Sequence, residues 1–254
     1  MLALVREVSP RLAHCELTHL ERVGIDVALA QQQHRRYTAA LESLGCVLEW
    51  LTPLPQHADG VFVEDAAVVL DEIAVIARAG VVSRRGETPS VAAALIHHLP
   101  LAQICAPGCV EGGDVLRIGR ALYAGLSART NAAGIAQLAA ALAPFGYAVR
   151  GVATDGCLHL KSACSFIPPD TLLVNPRWVD AAVFGTRRVI AVDESEPYAA
   201  NTLSLAGTTL VSAAYPRTRA RLAAAGVATR GLEVGELHKA EAALTCMSLL
   251  VDRG

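Results

Sequence analysis

Asp114-Val-Leu-Arg-Ile-Gly-Arg-Ala-Leu-Tyr-Ala-Gly-Leu-Ser-Ala-Arg-Thr-Asn-Ala-Ala-Gly-Ile-Ala-Gln-Leu-Ala-Ala-Ala-Leu-Ala-Pro-Phe-Gly-Tyr-Ala-Val-Arg-Gly-Val-Ala153 contains one complete folding unit. Asp114 to Ile118 and Ala121 to Leu126 are short apolar runs separated by a Gly-Arg pair, the pattern of two strands joined by a turn. Thr130 to Leu142 places apolar residues at helical spacing, and Ala148 to Ala153 reads as a third strand. The unit is therefore ββαβ.

The order recurs on both sides. Upstream, Val61 to Leu70 and Ile73 to Ala77 read as strands, Pro89 to His98 as a helix, and Ala102 to Cys105 as a strand. Downstream, a third copy runs from Cys164 through Leu172-Leu173-Val174, a short helix near Trp178 to Ala182, and Val189 to Val192. The fourth uses Leu203 to Leu205, Thr209 to Ser212, a helix from Arg217 to Ala225 and Val227 to Val234. After Cys246 only one strand remains. The N-terminus supplies the missing parts of a fifth copy: a strand Leu2 to Arg6, a helix Val27 to Leu44 stopped at Gly45, and a strand Cys46 to Leu51. A period of roughly fifty residues, closed through both termini, predicts an α/β fold with five blades around one axis. Residues 1–254 then form a single domain, and the loops at one end of the blades share a central pocket.

Composition sets limits on the function. Hydrophobic residues make up 53% and aromatics only 4%, so the core is expected to consist of Ala, Val and Leu. Apolar stretches such as Ala132 to Ala143 are broken well before the ~18 residues of a membrane span. The start, Met1-Leu-Ala-Leu-Val-Arg-Glu7, lacks the pattern of a secretory signal, so the expected location is the cytoplasm. Seven scattered cysteines are an odd number without the pattern of a disulfide scaffold, and all are read as thiols. A net charge of −2 without basic clusters gives no footprint for nucleic acid, which leaves a small molecule as the expected partner.

Four stretches carry chemistry. Cys246 heads an apolar run, His159 sits between Leu158 and Leu160, and carboxylates occur in Glu111-Gly-Gly-Asp114 and Phe62-Val-Glu64-Asp65. A thiol, an imidazole and several carboxylates are the parts of a thiol hydrolase for a cationic substrate. Each also has a plainer reading: a buried cysteine, a half-buried histidine, polar turns. Cys157, His159 and Cys164 invite a zinc reading but form no Cys-x2-Cys pair.

Taken jointly, Asp59-Gly-Val-Phe-Val-Glu64-Asp65, Ser83-Arg84-Arg85-Gly86-Glu87, Glu111-Gly-Gly-Asp114, Ser127-Ala-Arg129-Thr-Asn131, Leu158-His159-Leu-Lys161-Ser162, Tyr198-Ala-Ala-Asn201 and Leu244-Thr-Cys246-Met-Ser248 resemble the dimethylarginine dimethylaminohydrolase family. That family belongs to the guanidino-group-modifying enzymes with the pentein fold, a five-bladed α/β-propeller. The resemblance implies hydrolysis of N-omega-methylated arginines to citrulline, with no metal and no cofactor, and it allows a homodimer. It implies Cys246 as nucleophile, His159 as general acid and base, and Glu111 beside them. Glu64 and Asp65 would face the guanidinium, Arg84 and Arg129 the α-carboxylate, and Asp59 and the Ala240 carbonyl the α-amino group. Leu17 would lie in a flap over the pocket. Phe62 is a candidate apolar wall for the methyl groups, on the same strand face as Glu64. Glu241-Ala242-Ala243 departs from the family's usual Asp-Gly, and alanine visits positive φ less readily than glycine, so the turn is expected to take another path. An arginine deiminase-like hydrolase and a non-catalytic arginine-binding protein are the competing readings. The first usually carries an inserted helical region, for which 254 residues leave no room.

Overall fold

The structure is a computed structural model and describes residues 1–186 and 188–252. Its described strands form five sheets of three. In the quoted unit, Val115–Ile118 pairs antiparallel with Ala121–Leu126, which pairs in parallel with Ala148–Ala153 across the helix Ala132–Leu142. The same arrangement is built by Ala67–Val69, Ala74–Ile76 and Leu101–Gln103. It recurs in Cys164–Ile167, Thr171–Val174 and Arg188–Ala191, and in Leu203–Leu205, Thr208–Ser212 and Thr229–Leu232. The fifth blade closes the ring: Leu2–Val5 pairs antiparallel with Leu249–Val251 and in parallel with Val47–Trp50. This is the five-bladed α/β-propeller expected from the repeat.

Local signals set the helix starts. Asp26 accepts a hydrogen bond from the Leu29 N–H, and Asn131 accepts one from Gly134. Such caps satisfy a donor that the first helical turn leaves free. Asn131 therefore starts its helix at Ala132 rather than at the expected Thr130.

Apolar side chains collect between neighbouring blades. Val68 and Val75 of one sheet pack with Val115 and Leu122 of the next and with Leu138 of the intervening helix. Glu64, Lys161, Thr202 and Thr245 line a central cavity whose walls include residues of all five first strands.

Two elements differ from expectation. Val61 to Leu70 is not one strand: Val63–Ala66 is a 3-10 turn, and only Ala67–Val69 is extended. The Glu64 N–H donates to the Cys246 carbonyl of the adjacent fifth blade at 3.1 Å, a tertiary bond that takes the place of a ladder partner. In the third blade the helix expected near Trp178 to Ala182 is a 3-10 turn at Ala181–Phe184, capped by Asp180 and ended by Gly185 in the left-handed region. Among the described residues no helix is long and apolar enough to cross a membrane. All seven cysteines are free thiols.

Candidate active site

The sites of chemistry meet at one end of the ring. A small pocket is lined by Asp59, Phe62, Asp65, Arg84, Arg129, His159, Ala240 and Cys246, together with Glu16, Leu158, Glu241 and Ala242. Glu111 lies behind this wall and is fully buried.

Glu111 and Asp65 hold the histidine. Glu111 Oε2 is 2.8 Å from His159 Nε2, and Asp65 Oδ1 is 3.8 Å from Nδ1. Burial disfavours the imidazolium, but the charges of Asp65, Asp114 and Glu111 outweigh it and raise the His159 pKa to about 9. Asp65 responds in the opposite direction. Burial pushes its carboxyl up, yet His159, Arg84 and the Gly113 N–H hold it down to about 2. At neutral pH the pocket therefore contains an imidazolium between two carboxylates.

The two glycines of Glu111-Gly-Gly-Asp114 make this packing possible. A Cβ on Gly113 would stand 2.6 Å from His159 Nδ1 and 2.7 Å from Asp65 Oδ1. One on Gly112 would stand 2.0 Å from the Glu64 carbonyl. Any side chain there would push the imidazole and the turn apart. Asp114 fixes the histidine's backbone, accepting the Leu160 N–H at 2.9 Å and the Ser127 hydroxyl at 2.6 Å.

Cys246 is half-buried, and its Sγ accepts the Ala243 N–H at 3.4 Å. Burial raises its pKa well above the ordinary thiol value, and the charges of Glu64 and Asp65 raise it further. The resting group is a thiol. A cation placed against those carboxylates would reverse the electrostatic part of that shift.

The neighbours Glu64 and Asp65 diverge. Asp65 turns into the catalytic pocket, while Glu64 accepts Lys161 Nζ at 2.5 Å and the Thr245 hydroxyl at 2.6 Å on the central-cavity side. The 3-10 turn is the reason, and it also cancels the expected strand alternation of Phe62 with Glu64: Phe62 lines the catalytic pocket, Glu64 the central cavity. Asn201 braces this junction, donating to the Thr245 hydroxyl and accepting the Thr245 N–H.

The two arginines stand against the same carboxylates. Arg84 is buried and donates to Asp65 at 2.7 Å and to Glu87 at 2.9 Å. Burial disfavours its charge, but Glu87, Asp65 and Glu111 more than restore it. Arg129 lies 3.7 Å from Glu111 and donates to the Thr18 hydroxyl at 3.0 Å. Asp59 accepts the Glu16 N–H at 3.1 Å, and burial pushes its carboxyl up to about 6. Ala240 remains on the pocket wall. The positive φ of the departing turn falls on Glu241, at 56°, and not on either alanine. Leu17 is half-buried and packs on the core between the fourth and fifth blades, between Glu16 on the pocket wall and Thr18.

Glu87, Leu158 and Lys161 belong to this region but do not stand out in the sequence by themselves. For Glu87 a signal exists, since Arg84 and Glu87 are three apart, the spacing at which side chains meet on a helical turn. Asp65, Glu111 and His159 have ligand atoms within 4.8 Å of one another. Asp65 is already paired with Arg84, and Glu111 with His159 and the Gly80 N–H, so these atoms are engaged within the protein. The sulfurs of Cys157 and Cys164 approach the carbonyls of His159 and Leu160, so neither joins His159 in a zinc set.

The family model described as arginine deiminase matches residues 23–190. The N(G),N(G)-dimethylarginine dimethylaminohydrolase of Streptomyces coelicolor is 39% identical over 97% of this chain and 95% of its own length. Among solved structures, that of the Pseudomonas aeruginosa enzyme, a cysteine-to-serine mutant complexed with citrulline, superposes with a TM-score of 0.93 at 33% identity, covering 98% of both chains. A dimethylarginine dimethylaminohydrolase adduct with S-methyl-L-thiocitrulline superposes with a TM-score of 0.92 at 33% identity over the same shares. The chain belongs to the dimethylarginine dimethylaminohydrolase family of the pentein superfamily.

Proposed function

We propose that this protein hydrolyses N-omega-methylated arginines to citrulline and the corresponding methylamine, with Cys246 as nucleophile. One observation carries the reading: Cys246, a cationic His159, Asp65, Arg84 and Arg129 line one pocket, with Glu111 buried behind it against His159. The relatives support it, one bound to citrulline and one to a thiocitrulline.

A guanidinium carbon is a poor electrophile because three nitrogens share its charge. Asp65 on the pocket wall can orient it by charge-assisted hydrogen bonds, while Glu111 acts from behind through His159. The bound cation offsets the negative field at Cys246, whose proton passes to solvent. The thiolate attacks the carbon and a C–S bond forms. His159 then gives its proton to the methylated nitrogen, the C–N bond breaks with its electron pair on nitrogen, and the amine leaves. A thiouronium remains on Cys246. The now neutral His159 takes a proton from water, the hydroxide adds to the same carbon, and the C–S bond breaks with its pair returned to sulfur as the added hydroxyl loses its proton to solvent and becomes the carbonyl. The product carries a ureido group. Arg84 and Arg129 hold the α-carboxylate and Asp59 with the Ala240 carbonyl the α-amino group, while Phe62 and Leu158 form the wall facing the methyls.

A ureido assay on purified protein, with asymmetric dimethylarginine, monomethylarginine and arginine offered separately, tests the reading. An unmethylated nitrogen against Phe62 and Leu158 leaves donors unpaired at a cost of about 1 to 3 kcal/mol. A preference for methylated substrates of roughly five- to a hundredfold in kcat/KM is expected. Preference for plain arginine would move the protein to the deiminase reading, which the match to the arginine deiminase model keeps in view.

A further inference from the structure

The turn that departs from the family pattern is tied to the flap. Glu241 Oε2 accepts the Thr18 N–H at 2.8 Å, and Oε1 accepts the N–H groups of His19 and Leu20, both at 2.5 Å. One carboxylate thus gathers three successive backbone donors from a segment more than two hundred residues away. The residue does so from φ 56°, a conformation that costs a side-chain-bearing residue energy and persists where surrounding contacts over-determine it. Its chain neighbours Ala240 and Ala242 line the catalytic pocket, as does Glu16 just before the captured donors.

Other ties converge on the same segment. Asp59 accepts the Glu16 N–H, Arg129 donates to the Thr18 hydroxyl, and Ser83 donates to the Glu16 carboxylate at 2.5 Å. Asp59 and Arg129 are side chains assigned above to the substrate's amino and carboxylate groups, so a bound amino acid competes for them with the flap. Glu241 has no such second task. Outside the catch lies a separate cavity of about 350 Å³, bounded by His19, Leu20 and Val23 of the flap side and by Lys239, Ala242 and Ala243 of the turn. Glu241 and Ala242 belong to the walls of both cavities, so releasing the catch joins the outer space to the small catalytic pocket.

We propose that Glu241 is the catch of the flap: a positioning residue that locks residues 18–20 to the turn carrying Ala240, and so holds both sides of the subsite for the amino-acid end of the substrate. The carboxylate works through the flap backbone and touches no reacting atom. The kinetic part of this proposal rests on the functional reading above; the structural part does not.

The experiment compares Glu241→Gln and Glu241→Gly with the parent. Glutamine keeps the shape but loses the charge and presents an amide N–H₂ to backbone donors. Glycine removes the carboxylate while suiting φ 56°. Hydrogen exchange of the 18–20 amides and the iodoacetamide alkylation rate of Cys246, read by mass spectrometry on its peptide, are measured without substrate. Both variants should exchange and alkylate faster, by about tenfold or more, the size expected from losing charge-assisted hydrogen bonds. With monomethylarginine, KM should rise by about tenfold or more while kcat changes by less than about threefold. Unchanged exchange and alkylation in both variants overturns the proposal. So does a glycine variant indistinguishable from the parent beside an impaired glutamine variant, because turn conformation and not the carboxylate would then be the cause. A protein inactive on every methylarginine sinks the functional reading alone, since exchange and alkylation still decide the catch.

Discussion

Replacing Asp65 with Asn removes one charge from the imidazole's surroundings while keeping nearly the same shape. Asp65 Oδ1 stands 3.8 Å from His159 Nδ1, with both side chains buried. At an effective dielectric of about 20, a unit charge at that distance is worth about 4 kcal/mol, or about 3 pH units. Rearrangement of Arg84, which keeps Glu87 as partner, reduces this to about 2 to 3. His159 should therefore titrate near 9 in the parent and near 6 to 7 in Asp65→Asn. Ring-resonance NMR titration, with the signal assigned from His159→Asn, measures it directly. Stability follows the same shift. A histidine whose folded pKa lies above its unfolded value of about 6.5 stabilises the protein fully below that pH, and the contribution disappears as pH rises through the folded pKa. In the parent about 3 kcal/mol should be lost between roughly pH 6.5 and 9. Denaturant unfolding over that range should show the slope in the parent and little of it in the variant. If His159 titrates within about half a pH unit in both proteins, Asp65 is not what holds the imidazole charged.

Cys246→Ser should abolish turnover with unfolding unchanged within about 0.5 kcal/mol, since the swap is nearly isosteric at a half-buried position; retention of more than about a tenth of the parent rate would defeat the covalent mechanism. His159→Asn should lower kcat by about a hundredfold or more, and an unchanged kcat would return the histidine to a structural role. Arg84→Ala should raise KM and also cost about 3 to 5 kcal/mol of stability, because Asp65 and Glu87 are left buried without their cation. Arg129→Ala, whose nearest carboxylate contact is 3.7 Å away, should raise KM with a clearly smaller loss of stability. Equal melting temperatures for the two arginine variants would contradict the buried network around Arg84.

The blades and their closure were legible in the chain because a ββαβ unit is defined by local periodicity. Alternation, helical spacing and glycine stops act over a few residues, and Leu2–Val5 between Leu249–Val251 and Val47–Trp50 follows once four other units have been counted. The residues of the site were legible as a set of motifs, but their orientation was not. Glu64 and Asp65 are chain neighbours that serve different cavities, and the 3-10 turn that carries them is held by a bond to the Cys246 carbonyl of the adjacent blade. Arg84 and Arg129 look alike in sequence, yet one is clamped by two carboxylates and the other reaches a flap hydroxyl. Glu241 is drawn to positive φ by donors from residues 18 to 20. Local pattern carries the elements because their hydrogen bonds close within the element or blade. The site is assembled by side chains hundreds of residues apart, whose directions exist only after the ring has closed.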